Sequence, residues 1–266
     1  MKLSTKDFMR ALTPNEKIGS SAMLIIGGFW IAAMLAIWSY GPSALIPRPI
    51  PVLKAFGEML MNGDLLTALW SSLVTNLEAI AIATVITLVV SYGAVLGIMR
   101  PVSLAATKGR FLGLSGLTFL FTVLLGGGHT LKVALITFGI AVFFISSMVA
   151  IIDEIPKDEF DHARSLGMSE WRVTFEVVVL GRADQVLEQM RLNAAIGWVM
   201  LTMVEGFVRS EGGLGALLIN DNKHFLLENV FAIQLAIAMF GLGMDYAFRM
   251  LKDIACPYAN MTLERK

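Results

Sequence analysis

Cysteine and charge are what this sequence has least of. The only cysteine among 266 residues is Cys256, so no internal disulfide is possible, and no CxxC or Cys/His cluster is present to hold zinc or an iron–sulfur centre. Charged residues make up 16% of the chain, whereas soluble domains carry about 25%. The 21 basic residues balance 21 acidic ones without forming a basic stripe, which argues against a nucleic-acid partner. With 56% hydrophobic residues and a mean hydropathy of +0.71, the composition indicates a membrane protein.

Two kinds of reactive site are missing as well. The chain has no GxxxxGK[ST] phosphate loop, so we do not expect it to be an ATPase. Its polar residues are too scattered along the apolar segments to predict a catalytic or metal-binding cluster at one depth. We therefore expect no catalytic, cofactor or metal residues in this chain, and a membrane-embedded enzyme is the weakest alternative.

Apolar runs long enough to cross a bilayer recur along the chain. A transmembrane helix needs about 20 mainly apolar residues. The sequence predicts six such spans, at 22–40, 68–98, 111–127, 131–152, 189–208 and 229–250. The third is the shortest, and it leads through "LLGGGHTLK" into the fourth, which predicts a tight hairpin. The first is long for a signal peptide and no convincing cleavage site follows it, so we expect it to be retained.

The distribution of basic residues predicts the orientation of the spans. If the N-terminus is cytoplasmic, sixteen of the 21 lysines and arginines fall on the inner side, beginning with Lys2, Lys6, Arg10 and Lys17 in the N-terminal tail. The outer side then holds only Arg48, Lys54, Lys132, Arg209 and Lys223. We predict that both termini are cytoplasmic, with tails at 1–21 and 251–266 flanking a transmembrane domain at 22–250.

The longest inner loop, about 153–188, carries its own helix signals. Pro156 suits a first helical turn, Asp158 and Glu159 suit the positive end of the helix dipole, and Gly167 can close the helix in the left-handed conformation. An apolar stripe of Phe160, Ala163 and Leu166, flanked by charge, suits docking into a protein groove. The alternative is an amphipathic helix on the membrane surface, for which the acidic start is a poor match.

The same loop resembles a known signature. "DHARSLGMSEWRVTFEVVVL" is similar to the EAA motif of ABC importer permeases, in which Glu-Ala-Ala is followed after three residues by Gly. Asp161, His162 and Ala163 stand where that triplet would be, and Gly167 has the matching spacing. Prolines of the family pattern are replaced by Leu180 and Asp184, and we expect Gly181 to provide the bend between this loop and the fifth span.

The resemblance extends over most of the chain and points to the nitrate, sulfonate and taurine branch of these permeases. It is carried by the order of "IPRPIPVLKAFGEML", "SSLVTNLEAIAIA", Trp198, Glu205, "GGLG" at 212–215 and "GLGMD". It implies a type I importer fold of about six transmembrane helices and a small anionic or organic substrate such as nitrate, a sulfonate or taurine.

The resemblance also implies a division of labour between chains. This chain would bind no cofactor of its own. It would form half of a pore, as a homodimer or as the divergent half of a heterodimer. A separate dimer of ATPase subunits would hydrolyse ATP and dock on the loop helix, and a periplasmic or lipid-anchored binding protein would deliver the substrate. The residues implied in ATPase coupling are Phe160, Asp161, His162, Ala163, Arg164, Leu166 and Gly167, and the location implied is a bacterial or archaeal cytoplasmic membrane.

Ionisable groups within the spans are further candidates, because charge at membrane depth is costly. Glu205 is expected to bond backbone amides or to pair with Arg209. Glu78 would face a wet cavity or a partner subunit, and it is the residue that favours the second functional class, an ion-coupled secondary transporter or a channel. Trp198 would line the pathway or pack, and Asp245 would pair with Arg249 at i+4.

Overall fold

The structure is a computed structural model that describes residues 19–40 and 46–257. Every regular element within these ranges is helical, which agrees with an all-α membrane protein. Most of both predicted tails lies outside the described residues, including Lys2, Lys6, Arg10, Lys17, Arg265 and Lys266.

Eleven α-helices follow one another in the described part of the chain. They are α1 (Ser20–Tyr40), α2 (Pro49–Met61), α3 (Asp64–Gly93), α4 (Arg100–Lys108), α5 (Leu114–Leu125), α6 (His129–Asp153), α7 (Lys157–Ser165), α8 (Glu170–Val173), α9 (Ala183–Phe207), α10 (Leu214–Lys223) and α11 (Leu227–Ala255). A π-helical segment, Thr174–Leu180, lies between α8 and α9, and short 3₁₀ turns occur at Gly109–Phe111 and Arg209–Glu211.

Four of the six predicted spans coincide with helices that are long and apolar enough to cross a membrane. Among the described residues these are 22–40 in α1, α3, α6 and α11. Helix α3 begins four residues before the predicted second span and ends at Gly93, so the remainder of that prediction is a turn. Helix α11 continues to Ala255, five residues beyond the predicted end of the transmembrane domain.

The predicted third span is too short to cross a bilayer alone. Helix α5 has only 12 residues, or about 18 Å of helix against a hydrocarbon core of about 30 Å. It is preceded by α4 at a bend of 115°, so the two together form either a broken span or a re-entrant hairpin. Glycines delimit α5: Gly113 is its N-cap, and Gly126 ends it with a φ of +79°.

The predicted fifth span belongs to a longer and more polar helix. Helix α9 has 25 residues, about 37 Å of helix. It is not among the helices that meet the length and composition criteria for a span. Asp184, Glu188 and Arg191 lie in its first third and Glu205 near its end, which explains its lower hydropathy.

Helix α6 lies at the centre of the bundle. It packs against α3 on one side and α9 on another, and buried side chains occur all around it, among them Leu135, Ile136, Phe144 and Met148. A helix that is apolar on every face is stable only when it is surrounded. Helix α1, by contrast, exposes most of its large side chains, as a helix in contact with lipid does.

Helices α2 and α10, like α4, were not anticipated from hydropathy. Helix α2 buries Val52, Ala55 and Met59, spaced at i, i+3 and i+7, and packs against α11. Helix α10 follows the "GGLG" turn and packs against α9 and α11. With 13 and 10 residues, neither is long enough to span a bilayer.

Candidate functional site

Helix α7 forms where the capping signals predict a helix, with one local difference. Pro156 precedes the helix as its N-cap in an extended conformation, with a ψ of 141°, and is not part of the first turn. Asp158 and Glu159 occupy that turn. Gly167 has a φ of +79°, and its amide donates to the carbonyl oxygen of Arg164 at 2.9 Å, so the left-handed closure is confirmed.

The predicted apolar docking stripe on α7 is divided between two surroundings. Ala163 is buried, and Phe160 is half-buried against a cavity of about 120 Å³ formed by residues of α4, α6 and the π-helical segment. Leu166 is 64% exposed. The expectation that all three residues face an external groove is therefore wrong for Phe160 and Ala163, which anchor α7 to its own chain.

The face of α7 that remains free is polar with an apolar edge. Asp161, His162 and Arg164 are exposed, and Leu166 lies next to them along the chain. Trp171, in α8, is 74% exposed. This surface, defined by these five residues, is called the α7 surface below.

Ion pairs hold the α7 surface in shape. Arg164 donates from Nη1 to Asp161 at 2.9 Å and makes a two-point contact with Glu170, with Nε to Oε1 at 2.9 Å and Nη2 to Oε2 at 3.1 Å. The bonds to Glu170 and then to Asp161 raise the pKa of the Arg164 guanidinium, and the bond from Arg164 lowers the pKa of Glu170. These pairs are exposed, so their value lies more in geometry than in stability.

A third pair joins α7 to the beginning of α9. Arg182 Nη2 donates to Glu159 Oε1 at 2.7 Å, and the Arg182 side chain is only 20% exposed. Between them the chain turns at Gly181, whose amide donates to the carbonyl of Glu176. A Cβ at Gly181 would lie 2.6 Å from the carbonyl oxygen of Val177. Glycine is therefore required at the bend, in the place where the sequence predicts it.

Glu205 lies in a buried polar cluster at the opposite end of the bundle. Its carboxylate accepts bonds from Ser72 Oγ at 2.7 and 2.9 Å and from the Gly215 amide at 2.9 Å. Ser72 Oγ in turn accepts the Leu214 amide at 2.9 Å. The prediction that Glu205 binds backbone amides is confirmed. The alternative partner, Arg209, instead donates to the Gly206 carbonyl.

Lys132 completes this cluster and was missed as a functional residue. Sequence reasoning counted it among the outer surface charges, but its side chain is 1% exposed and its Nζ donates to the Gly212 carbonyl at 2.7 Å. A buried lysine needs a partner. Its burial could have been inferred from its position, three residues into an apolar helix. Lys132, Ser72 and Glu205 together fix the Gly212–Gly215 turn from three different helices.

Glu78 finds a partner that the sequence did not reveal. Its Oε2 lies 2.8 Å from His129 Nε2, and His129 Nδ1 lies 3.8 Å from Glu211 Oε2. One imidazole thus stands between two carboxylates. Glu78 and His129 also line a cavity of about 780 Å³ between α3, α4, α5 and α6, so the cavity alternative predicted for Glu78 fits the structure, although most of the lining is apolar.

Trp198 and Asp245 lie near each other but serve different contacts. Trp198 is buried, donates from Nε1 to the Ile237 carbonyl at 2.9 Å, and lines a cavity of about 530 Å³ between α9 and α11. Asp245 pairs with Arg191 of α9 and not with Arg249 as predicted. A contact between two helices has replaced the expected contact along one helix. In the described part of the chain, no three His, Cys, Asp or Glu side chains are arranged to hold a metal ion.

Comparisons with known proteins bear on the resemblance carried by the motifs. No protein-family model matches the chain. Over 139 residues, 52% of its length, it is 24% identical to the taurine transport system permease protein TauC of Escherichia coli K12, covering 50% of that protein. Over 128 residues, 48% of its length, it is 23% identical to a Methanocaldococcus jannaschii protein described as an ABC transporter permease, covering 48% of it.

The chain spans about half the length of the curated relatives it matches. The two matches come from a bacterium and an archaeon, and both are described as permease proteins of transport systems. Together with the apolar helices they confirm that this multi-pass membrane chain is similar to ABC transporter permeases.

Proposed function

We propose that this chain is the transmembrane permease subunit of an ATP-driven ABC importer. In this proposal it forms the translocation path with a second permease subunit, identical or related, in the cytoplasmic membrane of a bacterium or archaeon. Both termini face the cytoplasm. A separate dimer of ATPase subunits supplies ATP hydrolysis, and a periplasmic or lipid-anchored binding protein supplies the substrate.

The observation that carries the proposal is the mounting of α7. The helix is short and closed at Gly167, is anchored through Phe160 and Ala163, and is tied to α9 by the Glu159–Arg182 pair. Its remaining face, the α7 surface, is exposed. A rigid helix with one anchored and one free face can pass a push from a docked partner to the helices behind it.

The substrate class follows from the resemblance and from the charges at the α10 end. The resemblance implies a small anionic or organic solute, and one relative's name specifies taurine. Glu78 and His129 line the cavity of about 780 Å³, and Glu211 lies on the other side of the imidazole. Carboxylates repel anions, so among nitrate, sulfonates and other organic solutes these groups favour a solute that is not a simple anion.

The proposal is tested by changing the α7 surface in a complex of this chain with its ATPase and binding-protein partners. Asp161→Lys reverses a charge there and removes a partner of Arg164. Gly167→Pro forbids the positive φ that closes the helix. We expect both variants to lose stimulation of ATP hydrolysis by the loaded binding protein, while ATP binding by the partner subunit is retained.

The matched control is Glu58→Lys, which reverses an exposed charge on α2, far from α7 in the fold. It should keep stimulated hydrolysis. If Asp161→Lys and Gly167→Pro also keep it, α7 is not the coupling element. Transport of a solute without any ATPase partner would instead favour the ion-coupled transporter.

A further inference from the structure

The cavity between α3, α4, α5 and α6 has the size of a ligand site. Its volume is about 780 Å³, within the range of about 300–1,000 Å³ that small-molecule sites occupy. Its walls are mostly apolar, with Ile82, Val133 and Phe138 among the lining side chains. Of the described residues that line it, only Glu78 and His129 are ionisable.

Two carboxylates flank the His129 imidazole where it lines this cavity, which defines the cavity mouth. Glu78 Oε2 is 2.8 Å from His129 Nε2, and Glu211 Oε2 is 3.8 Å from the other ring nitrogen. Among the described residues, no lysine or arginine lines the cavity. Lys132 lies nearby, buried with its Nζ on the Gly212 carbonyl, and its charge acts on Glu205 and Glu211.

These mouth residues are accessible to a solute. The Glu78, His129 and Glu211 side chains are 46%, 43% and 43% exposed. One oxygen of Glu78 faces His129, which leaves the carboxylate able to accept a further charge-assisted bond from a donor. A cation at the mouth would be attracted by both carboxylates, and an anion would be repelled by both.

The interior of the cavity offers aromatic contact behind the charged mouth. Phe121 and Phe138 both line it, and their rings lie 5.9 Å apart at 61° in an edge-to-face arrangement. Such a pair leaves ring surface for packing against a third apolar or aromatic group. Aromatic faces also attract cations. The cavity therefore combines a negative mouth with an apolar, partly aromatic interior.

We propose that this cavity binds a solute that carries a protonated amine on an apolar body about the size of an aromatic ring. The amine would bond Glu78, and the body would pack against Phe121 and Phe138. The inference rests on the proposed transport function and narrows its substrate class. It excludes nitrate, and a sulfonate group would find no lysine or arginine along the cavity wall.

The test uses three probes that share a phenyl ring and differ in charge: 2-phenylethylamine, neutral 2-phenylethanol and anionic phenylacetate. Binding to the full chain in nanodiscs is measured by titration calorimetry, with empty nanodiscs subtracted. We expect the amine to bind at least about tenfold more tightly than phenylacetate, with the alcohol between them, since a charge-assisted bond is replaced first by a neutral one and then by repulsion.

Matched variants locate the site. Glu78→Gln should weaken amine binding about tenfold, to the level of the alcohol, and Glu211→Gln should weaken it less. Ala134→Phe, which fills the cavity, should abolish binding of the amine and of the alcohol. Glu58→Gln removes an exposed carboxylate on α2 and should change nothing. Each variant is compared by its thermal unfolding transition, and because two carboxylates are varied separately, misfolding of one does not remove the test.

Several results would overturn the inference. They are phenylacetate binding as tightly as the amine, an amine affinity within twofold of wild type in both Glu78→Gln and Glu211→Gln, or no binding of any probe. A lipid that copurifies with wild type, is lost from Ala134→Phe and is not displaced by the amine would identify an acyl-chain site instead. None of these readouts involves ATP, so a chain that couples through α7 but fails them would retain the proposed function and lose only the substrate class.

Discussion

Ser72 provides the sharpest test of how the Gly212–Gly215 turn is held. It donates its hydroxyl hydrogen to the Glu205 carboxylate and accepts the Leu214 amide at 2.9 Å. Ser72→Ala removes both bonds from a site where Ser72 and Glu205 are 0% exposed. The carboxylate then keeps the Gly215 amide as its described bonding partner, and the Leu214 amide loses its acceptor.

The expected cost follows from those two losses. A hydrogen bond to a charged group is worth about 1.5–3 kcal/mol, and a buried amide left without an acceptor costs about 1–3 kcal/mol. We therefore expect Ser72→Ala to lower the free energy of unfolding by about 4 kcal/mol. For a chain of this length, that corresponds to a fall in Tm of about 10 °C.

The protein carries its own reporter for this measurement. Cys256 is the only cysteine and is 4% exposed, so a thiol-reactive dye signals unfolding as that thiol becomes accessible. Ser71→Ala, one residue earlier on α3, is the matched control and should leave the Tm within about 1 °C. In a Glu205→Leu background, Ser72→Ala should cost less, because the charged acceptor is already gone. Equal Tm values for Ser71→Ala and Ser72→Ala would refute the assignment of the cluster.

Three further changes follow from other contacts. In Gly215→Ala the new Cβ would overlap a carbonyl oxygen of α9, so the Tm should fall. Gly57→Ala is the control: a Cβ there meets nothing within 4 Å, and the Tm should rise slightly. Equal shifts in the two variants would contradict the close approach of α9 and α10. Lys132→Met keeps the volume of the side chain but leaves the Gly212 carbonyl without its donor. In the same dye assay, the free energy of unfolding should fall by about 1–3 kcal/mol. An unchanged free energy would contradict the buried bond. The bond from Arg164 lowers the pKa of Glu170, so its contribution is complete above the ordinary value of 4.5 and is lost as the pH falls through the lowered value. Because the pair is exposed, hydrogen-exchange protection of α7, corrected for intrinsic rates, should fall only slightly on acidification in wild type, and Glu170→Gln should remove that part of the pH dependence.

Local pattern was sufficient for the elements that sequence reasoning predicted well. Hydropathy alone locates α1, α3, α6 and α11, because a continuous apolar helix is determined by its own residues. The caps of α7 are also local: Asp158 and Glu159 begin the helix and Gly167 ends it within eleven residues. The resemblance to permeases depends on the order of the motifs along the chain, which can be read directly from the sequence.

The contacts that sequence reasoning missed are those between distant segments. Ser72 and Glu205 are 133 residues apart, Lys132 and Gly212 are 80 apart, and Glu78 and His129 are 51 apart. Helix spacing rules apply only to residues three or four apart. That is why Asp245 was assigned to Arg249 on its own helix, when the packing of α11 on α9 brings Arg191 to it. Hydropathy likewise overlooked α2, which has only 13 residues and is too short for a span.

Helix α9 connects α7, the proposed coupling helix, to the Gly212–Gly215 turn. At its beginning Arg182 binds Glu159 of α7, and near its end Glu205 binds the turn that leads into α10. Between these points Arg191 pairs with Glu188 and with Asp245 of α11, and Lys252 of α11 donates to Glu188 at 2.8 Å. These contacts join the first third of α9 to the second half of α11. A packed helix moves as a unit, because its core contacts do not stretch continuously. If a docked partner displaced α7, helices α9 and α11 would therefore shift together and carry the Gly212–Gly215 turn with them.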